Sequence, residues 1–172
     1  MTVSTPPSAA DAIDDLYRAH ALGLVRFALM LVGDQGTAED VVQEAFLGLY
    51  RGWHRVRDQA SVLAYLRAAV VNGARGVQRS RRRGRLRMLQ HAQPDPPVWS
   101  AEAAAIDGED RRTLLAAVAA LPPRQREVLA LKYFLDLSEA DVAAILGITR
   151  GTVSSTGTRA IAALAKQLKE TL

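Results

Sequence analysis

A chain of 172 residues without cysteine forms no disulfide and no thiolate zinc site, and His20, His54 and His91 are too widely spaced for metal ligation, so no metal or other cofactor is expected. An apolar fraction of 49% supports real cores, but aromatics are only 5%, so packing rests on Leu, Val, Ile and Ala; no apolar run is long enough to cross a bilayer, and residues 1–10 lack the pattern of a signal peptide, which points to a cytoplasmic protein with no membrane insertion. The net charge of +4 is unevenly spread: residues 1–60 hold five basic and eight acidic side chains, residues 61–108 eight and three, so an acidic front and a basic middle imply surfaces for different partners.

The periodicity predicts an all-α chain. After an N-terminus expected to be disordered (residues 1–11), residues 12–32 read as an amphipathic helix with Ile13, Leu16, Tyr17, Leu24, Phe27, Ala28 and Leu31 on one face. Gly33-Asp34 breaks it. Thr37 is expected to cap a second helix, with Asp40 in a capping-box position. Its inner face holds Val41, Val42, Ala45, Phe46, Leu49 and Trp53. Its outer face shows Glu39, Asp40, Gln43, Glu44 and, near the rim, Leu47. Residues 54–60 form a polar loop containing Arg55, Arg57, Asp58 and Gln59. Ser61 is expected to open a third helix, reaching Arg83, with Leu63, Leu66, Val70 and Val77 inside and Asn72, Arg75 and Arg79 on a second stripe. Residues 12–83 thus make one small three-helix core.

Arg75, Arg79, Arg81, Arg82, Arg83, Arg85 and Arg87 crowd one stretch with no acid between them. Such a block repels itself unless something anionic is bound. Nucleic acid is one reading; a solvated or membrane-surface segment is the other. Residues 84–108, with Gly84, Pro94, Pro96, Pro97 and Gly108, read as a mobile linker.

Residues 109–172 form a second helical unit. One helix runs to Leu121, and Pro122-Pro123 stops it and starts the next, which carries Val128, Leu129, Leu131 and Phe134. Ser138 caps a helix ending at Leu146, and the last helix runs from Thr149 to about Lys169 with Ile161, Leu164 and Leu168 inside. The segment 141–153 has helix-turn-helix spacing: small Ala143 at a close crossing, Gly147 at a turn requiring positive φ, and Thr149 as the cap of a helix that fits the major groove. The same spacing also occurs in ordinary helical hairpins.

Four segments carry a resemblance over nearly the whole chain: Ala38-Glu-Asp-Val-Val-Gln-Glu-Ala-Phe46, Leu121-Pro-Pro-Arg-Gln-Arg-Glu-Val-Leu129, Tyr133-Phe-Leu-Asp-Leu-Ser-Glu139 and Ile145-Leu-Gly-Ile-Thr-Arg-Gly-Thr-Val153. In this order and spacing they resemble the extracytoplasmic-function (group 4) sigma factors of bacterial RNA polymerase, above all the actinobacterial members. The resemblance implies two small helical domains, σ2-like over residues 12–83 and σ4-like over residues 109–172, joined by a flexible linker. It implies that Glu39, Asp40, Gln43, Glu44 and Leu47 face the β′ clamp helices of core polymerase and that the second unit meets the β flap. It implies that Arg55, Arg57, Asp58, Gln59, Asn72, Arg75 and Arg79 read the −10 element, with one flipped base held in the loop, and that Arg81, Arg82 and Arg83 touch phosphates. Arg150, Thr152, Ser154, Ser155, Thr158 and Arg159 become the −35 contacts. Promoter DNA and an anti-sigma factor are the further partners implied, with the protein in the cytoplasm and at the nucleoid when in holoenzyme.

One departure from the family stands out, and one further feature follows from the residues. Ser154 occupies a position where the family usually carries a cation, and the stretch through Thr156 and Gly157 is neutral, so −35 binding is expected to depend on polymerase. Tyr65 is the sole aromatic of the third helix, so a stacking ladder for melted bases is missing. A stand-alone helix-turn-helix regulator would explain the last third but not the acidic front, and a protein-only adaptor would leave the arginine block idle. No nucleophile, metal set or phosphate loop supports an enzyme.

Overall fold

In the computed structural model, which describes residues 8–88 and 108–171, every regular element among the described residues is helical. Helix α1 (Ala9–Val32) starts at a reciprocal cap: the Asp11 amide donates to Ser8 Oγ at 3.2 Å and the Ser8 amide to the Asp11 carboxylate at 3.3 Å. The helix therefore begins inside the stretch expected to be disordered, because Ser8 and Asp11 satisfy each other's backbone donors; residues 1–7 of that stretch lie outside the described residues. It ends at Gly33, whose φ of 90° lets its amide return to the Leu29 carbonyl.

Helix α2 (Gln35–Arg51) is capped by Asp34, not Thr37: Asp34 Oδ1 accepts from the Thr37 amide at 2.9 Å. A carboxylate at this position satisfies an orphan donor and lies at the positive end of the helix dipole, so the helix gains most of a turn. A 3-10 turn, Trp53–Arg55, leads to α3 (Gln59–Met88). Here too the cap precedes the expected one, since Asp58 accepts from both the Ser61 amide and its hydroxyl, at 2.7 and 2.9 Å. Helix α3 runs past Gly84 to Met88, into residues assigned to the linker from sequence; a single glycine costs only about 1 kcal/mol and arginines are good helix formers. The rest of that linker, residues 89–107, lies outside the described residues.

Phe27, Leu31, Val42, Leu49, Leu66 and Val70 are fully enclosed where α1, α2 and α3 meet. The helices come so close that a Cβ on Gly73 would stand 2.9 Å from Val41 Cγ1. Tyr17 meets the Phe46 ring edge-on, with centroids 5.0 Å apart, yet remains 41% exposed.

The second unit comprises α4 (Glu109–Ala119), α5 (Pro123–Leu129, extended by a wide π turn over Ala130–Phe134), α6 (Glu139–Leu146) and α7 (Arg150–Thr171). A π turn advances the register by one residue. It carries Phe134 outward, 46% exposed, where helical periodicity had placed it inside. Ile161 is 42% exposed because Ala160 takes the inner position on α7. Ser138 caps α6 as expected, its Oγ accepting from the Asp141 amide at 3.1 Å.

The two units are docked on each other. Val128, Ala130, Leu131, Val142, Leu146 and Val153 are continuous with the core of the first unit. Helix α1 packs on α4 and α5, and α3 on α6. Met30 touches both this core and a smaller cluster of Val118, Leu121, Leu129 and Ala160. No described helix is long and apolar enough to cross a membrane, and no described cluster of His, Asp or Glu could hold a metal ion.

Thr156 and Gly157 face inward, so their neutrality is a packing feature and not a lost cation. A Cβ on Gly157 would lie 3.6 Å from Tyr133 Oη and 3.7 Å from Val128 Cγ1, which is ordinary contact. Gly157→Ala should therefore raise unfolding free energy by about 1 kcal/mol in urea denaturation. A loss of stability would mean that α7 has no room for the methyl.

Candidate functional site

The outer face of α2 presents Glu39, Asp40, Gln43, Glu44 and Leu47 together, all exposed. Two of the acids are lightly held: Gln35 Nε2 donates to Glu39 at 2.7 Å, and Arg51 lies 3.5 Å from Glu44, both of these side chains largely exposed. Such exposed contacts contribute little and yield readily to a partner. Beside the acids runs a shallow apolar groove of about 390 Å³, lined by Ile13, Tyr17, Gln43, Phe46, Leu47 and Tyr50. Tyr50 is 54% exposed. An apolar strip with aromatic anchors and a charged rim is the anatomy of a protein-docking surface. Tyr17 and Tyr50 were not singled out from sequence as contacts; they become so because α1 brings its own aromatic alongside α2.

The loop between α2 and α3 closes a second cavity, of about 570 Å³, against α1. Trp53, Val56, Arg57, Asp58 and Val62 face Leu16 and His20 across it. Arg55 and Arg57 are exposed, and Arg55 Nε donates to His54 Nε2 at 3.3 Å. Asp58 is committed to capping α3: the Ser61 amide, and then the Ser61 hydroxyl, hold its carboxyl below the usual carboxylate range. Gln59 is the first residue of α3.

On α3, Asn72 and Arg79 are exposed, whereas Arg75 between them is turned to the second unit. Its Nε and Nη2 donate to the Glu127 carboxylate at 2.6 and 2.8 Å. These bonds to Glu127 raise the guanidinium's pKa above its ordinary value. Arg81 is likewise occupied: it donates to the Val32 carbonyl and the Asp34 carboxylate, tying α3 to the α1–α2 corner. Its side chain is nevertheless exposed, as are those of Arg82 and Arg83.

The helix-turn-helix forms as its residues require. Gly147 has φ 66°, and Thr149 Oγ1 accepts from the Thr152 amide at 3.1 Å to start α7. Arg150, Thr152, Ser154, Ser155, Thr158 and Arg159 all lie on its exposed side. Several are folded back on their own helix: Thr158 Oγ1 donates to the Ser154 carbonyl at 3.1 Å and Arg159 Nε to the Ser155 carbonyl at 3.2 Å. Glu139 stands next to the helix start, with Lys132 Nζ 2.6 Å away; Lys132 chiefly, and then Arg150 and Ser154, hold its carboxyl below the ordinary range.

The family model described as Sigma-70 region 2 matches residues 16–84, and that described as Sigma-70, region 4 matches residues 111–164. The chain is 32% identical over 155 residues to the RNA polymerase sigma-E factor of Streptomyces coelicolor, covering 90% of this chain and 85% of that one. It is 36% identical over 162 residues to the ECF RNA polymerase sigma factor SigL of Mycobacterium tuberculosis, covering 90% and 88%. Its fold is similar to that of the sigma factor RpoE of Bartonella quintana, solved with the anti-sigma factor NepR, with a TM-score of 0.76, 23% identity and coverage of 92% of this chain and 97% of that one. CnrH, solved with the cytosolic domain of CnrY, gives a TM-score of 0.66 at 22% identity, covering 92% and 88%.

Proposed function

We propose that this chain, which belongs to the extracytoplasmic-function sigma factors of bacterial RNA polymerase and is of the actinobacterial type, divides its work among three surfaces. It is a sigma factor, not a stand-alone regulator: it binds core RNA polymerase and directs promoter-specific initiation through −10 and −35 elements. Sigma factors are non-enzymatic initiation factors, and its place of action is the cytoplasm, at the nucleoid when in holoenzyme.

The first surface is the acid-rimmed groove of α1 and α2, and it carries the reading. Glu39, Asp40, Gln43 and Glu44 form the rim, and Tyr17, Leu47 and Tyr50 the apolar anchors, for the β′ clamp helices. The second is the loop and α3. Arg55, Arg57 and Gln59 with Asn72, Arg75 and Arg79 follow the non-template strand of the −10 element, and the 570 Å³ cavity takes the flipped base, with Trp53 available for stacking. The third is the exposed side of α7, where Arg150, Thr152, Ser154, Ser155, Thr158 and Arg159 meet the −35 element while the second unit rests on the β flap. In this assignment residues 12–83 dock and read −10, and residues 109–172 read −35. An anti-sigma factor is a further partner, as in the similar RpoE structure solved with NepR.

Pull-down of core polymerase with single alanine variants of Tyr17, Leu47 and Tyr50 tests the docking surface; undiminished capture by all three would sink it. The −35 assignment has its own test. Arg150→Ala should flatten preference at one −35 position, a cost of about 1–3 kcal/mol there, in open-complex assays over a −35 substitution library. Ser154→Lys should tighten holoenzyme binding to promoters generally and steepen its salt slope by about 1. If the added lysine instead pairs with Glu139 and leaves the slope unchanged, position 154 does not approach the backbone.

A further inference from the structure

We infer that Glu139 is a built-in brake on −35 binding, its carboxylate occupying Lys132 in place of the DNA phosphate that this ammonium would otherwise meet; this rests on the reading of α7 as the −35 surface. Lys132 Nζ donates to Glu139 Oε1 at 2.6 Å. Both side chains reach the surface, 24% and 31% exposed. Lys132 belongs to the π turn that extends α5, and its stem passes α7 beside Gly157, where an added Cβ would stand 3.8 Å from Lys132 Cδ. The ammonium lies 5.5 Å from the centre of the Tyr133 ring, a second favourable contact. Stem and ring therefore hold the charge at this spot independently of the carboxylate.

The pair stands at the edge of the reading helix. The bond from Lys132 first, and then the charge of Arg150 and the Ser154 hydroxyl, hold the Glu139 carboxyl below its ordinary range, so it is ionised at any physiological pH. Arg150 and Ser154 both lie on the exposed side of α7. In a helix-turn-helix the second helix enters the major groove while the first crosses the sugar-phosphate backbone. The first helix here is α6, and Glu139 is its first residue. A helix start ordinarily draws phosphate through its free amides and the positive end of its dipole. This one carries Glu139 and Asp141 instead, and the Asp141 amide is taken by Ser138. The Glu139 carboxylate thus repels a phosphate and neutralises the lysine beside it.

Stability does not account for the pair, since a surface ion pair contributes little to folding. On DNA its effect is larger, because each cation that neutralises a phosphate releases counterions and adds about 1 to the salt slope. With Glu139 in place, Lys132 brings no net charge to the backbone, and Arg150 and Arg159 are the cations left among the −35 contacts. A surface so arranged holds duplex weakly by itself and depends on polymerase to place it there.

Holoenzymes carrying the wild-type chain, Glu139→Gln, Lys132→Met or both changes are titrated with duplexes randomised over the −35 element, across a potassium chloride series. Glutamine keeps an acceptor for Lys132 and removes the charge. Glu139→Gln should tighten binding about fivefold at roughly 0.15 M salt, steepen the salt slope by about 1 and leave the selected −35 sequence unchanged. Lys132→Met alone should alter affinity less than about twofold, and it should cancel the gain when combined with Glu139→Gln. An unchanged slope with Glu139→Gln, or a gain that survives Lys132→Met, would overturn the brake. So would a shift from cytosine to adenine at one position, because glutamate accepts from cytosine N4 and glutamine pairs with adenine, which would make Glu139 a base reader. Arg150→Ala, run alongside, separates the two levels: a lost base preference there with an unchanged Glu139→Gln slope removes the brake alone, whereas no effect of either change removes the −35 assignment with it. Should Lys132→Met lose its helical circular dichroism, the slope of Glu139→Gln decides by itself.

Discussion

Reversing Asp40 and Glu44 together to lysine should weaken binding to core RNA polymerase by about a hundredfold or more, because like charges forced together at an interface cost several kcal/mol. Both side chains project from the exposed face of α2 one turn apart. Neither touches the core, and the ion pair of Glu44 with Arg51 is a loose 3.5 Å contact. Far-ultraviolet circular dichroism should therefore be unchanged. The neighbouring groove sets the comparison: Tyr50→Ala should cost roughly tenfold by removing an apolar anchor without reversing charge. Competition for core against the wild-type chain measures both. A double-lysine variant that competes as well as wild type would mean that this face does not meet polymerase.

Arg126→Met should lower stability by about 3 kcal/mol, or roughly 10 °C in melting temperature for a chain of this length. The side chain donates to three carbonyls, Leu31, Ala119 and Leu121, which lie near the ends of α1 and α4. The Leu31 carbonyl keeps a bond from Gln78 Nε2 at 3.1 Å, whereas the Ala119 and Leu121 carbonyls lose the side-chain donor that Arg126 supplies. Methionine fills similar space and supplies no donor. Arg79→Met, on the exposed side of α3, should change stability by less than about 0.5 kcal/mol. Equal melting temperatures for the two variants would show that the bridging bonds of Arg126 contribute nothing net.

The parts of this protein that sequence discloses are those fixed by neighbours in the chain. Gly147, Thr149 and Ser138 each do the local task their residue type suggests, a left-handed turn and two helix caps, within three or four residues of their partners. Asp34 and Asp58 carry the same kind of signal, but Thr37 and Ser61 hide it by being acceptable caps themselves; the carboxylates win because they accept the Thr37 and Ser61 amides with a full charge and so start each helix earlier. Phe134 breaks the pattern because one extra residue in a π turn rotates everything after it, and nothing in a hydrophobic period announces that.

The functional surfaces divide in the same way. The acidic rim of α2 and the outer side of α7 follow from helical phase alone. The groove needs Tyr17 of α1 beside Tyr50 of α2, which only tertiary packing provides. Arg75 reads from its stripe as one more DNA contact, since its partner Glu127 is 52 residues away and belongs to a segment that looks self-contained. The intramolecular bonds of Arg81 are hidden for the same reason: its acceptors are the Val32 carbonyl and the Asp34 carboxylate, 49 and 47 residues earlier.

The most direct test of the three-surface assignment is run-off transcription by core polymerase, with and without this chain, on a library of duplexes varied at both promoter elements. We expect start sites that appear only when the chain is added, that lie downstream of one shared pair of −10 and −35 sequences, and that vanish when Asp40→Lys and Glu44→Lys are combined. Initiation that persists with the double variant, or sequence-specific duplex binding by the chain alone with no dependent start site, would contradict it.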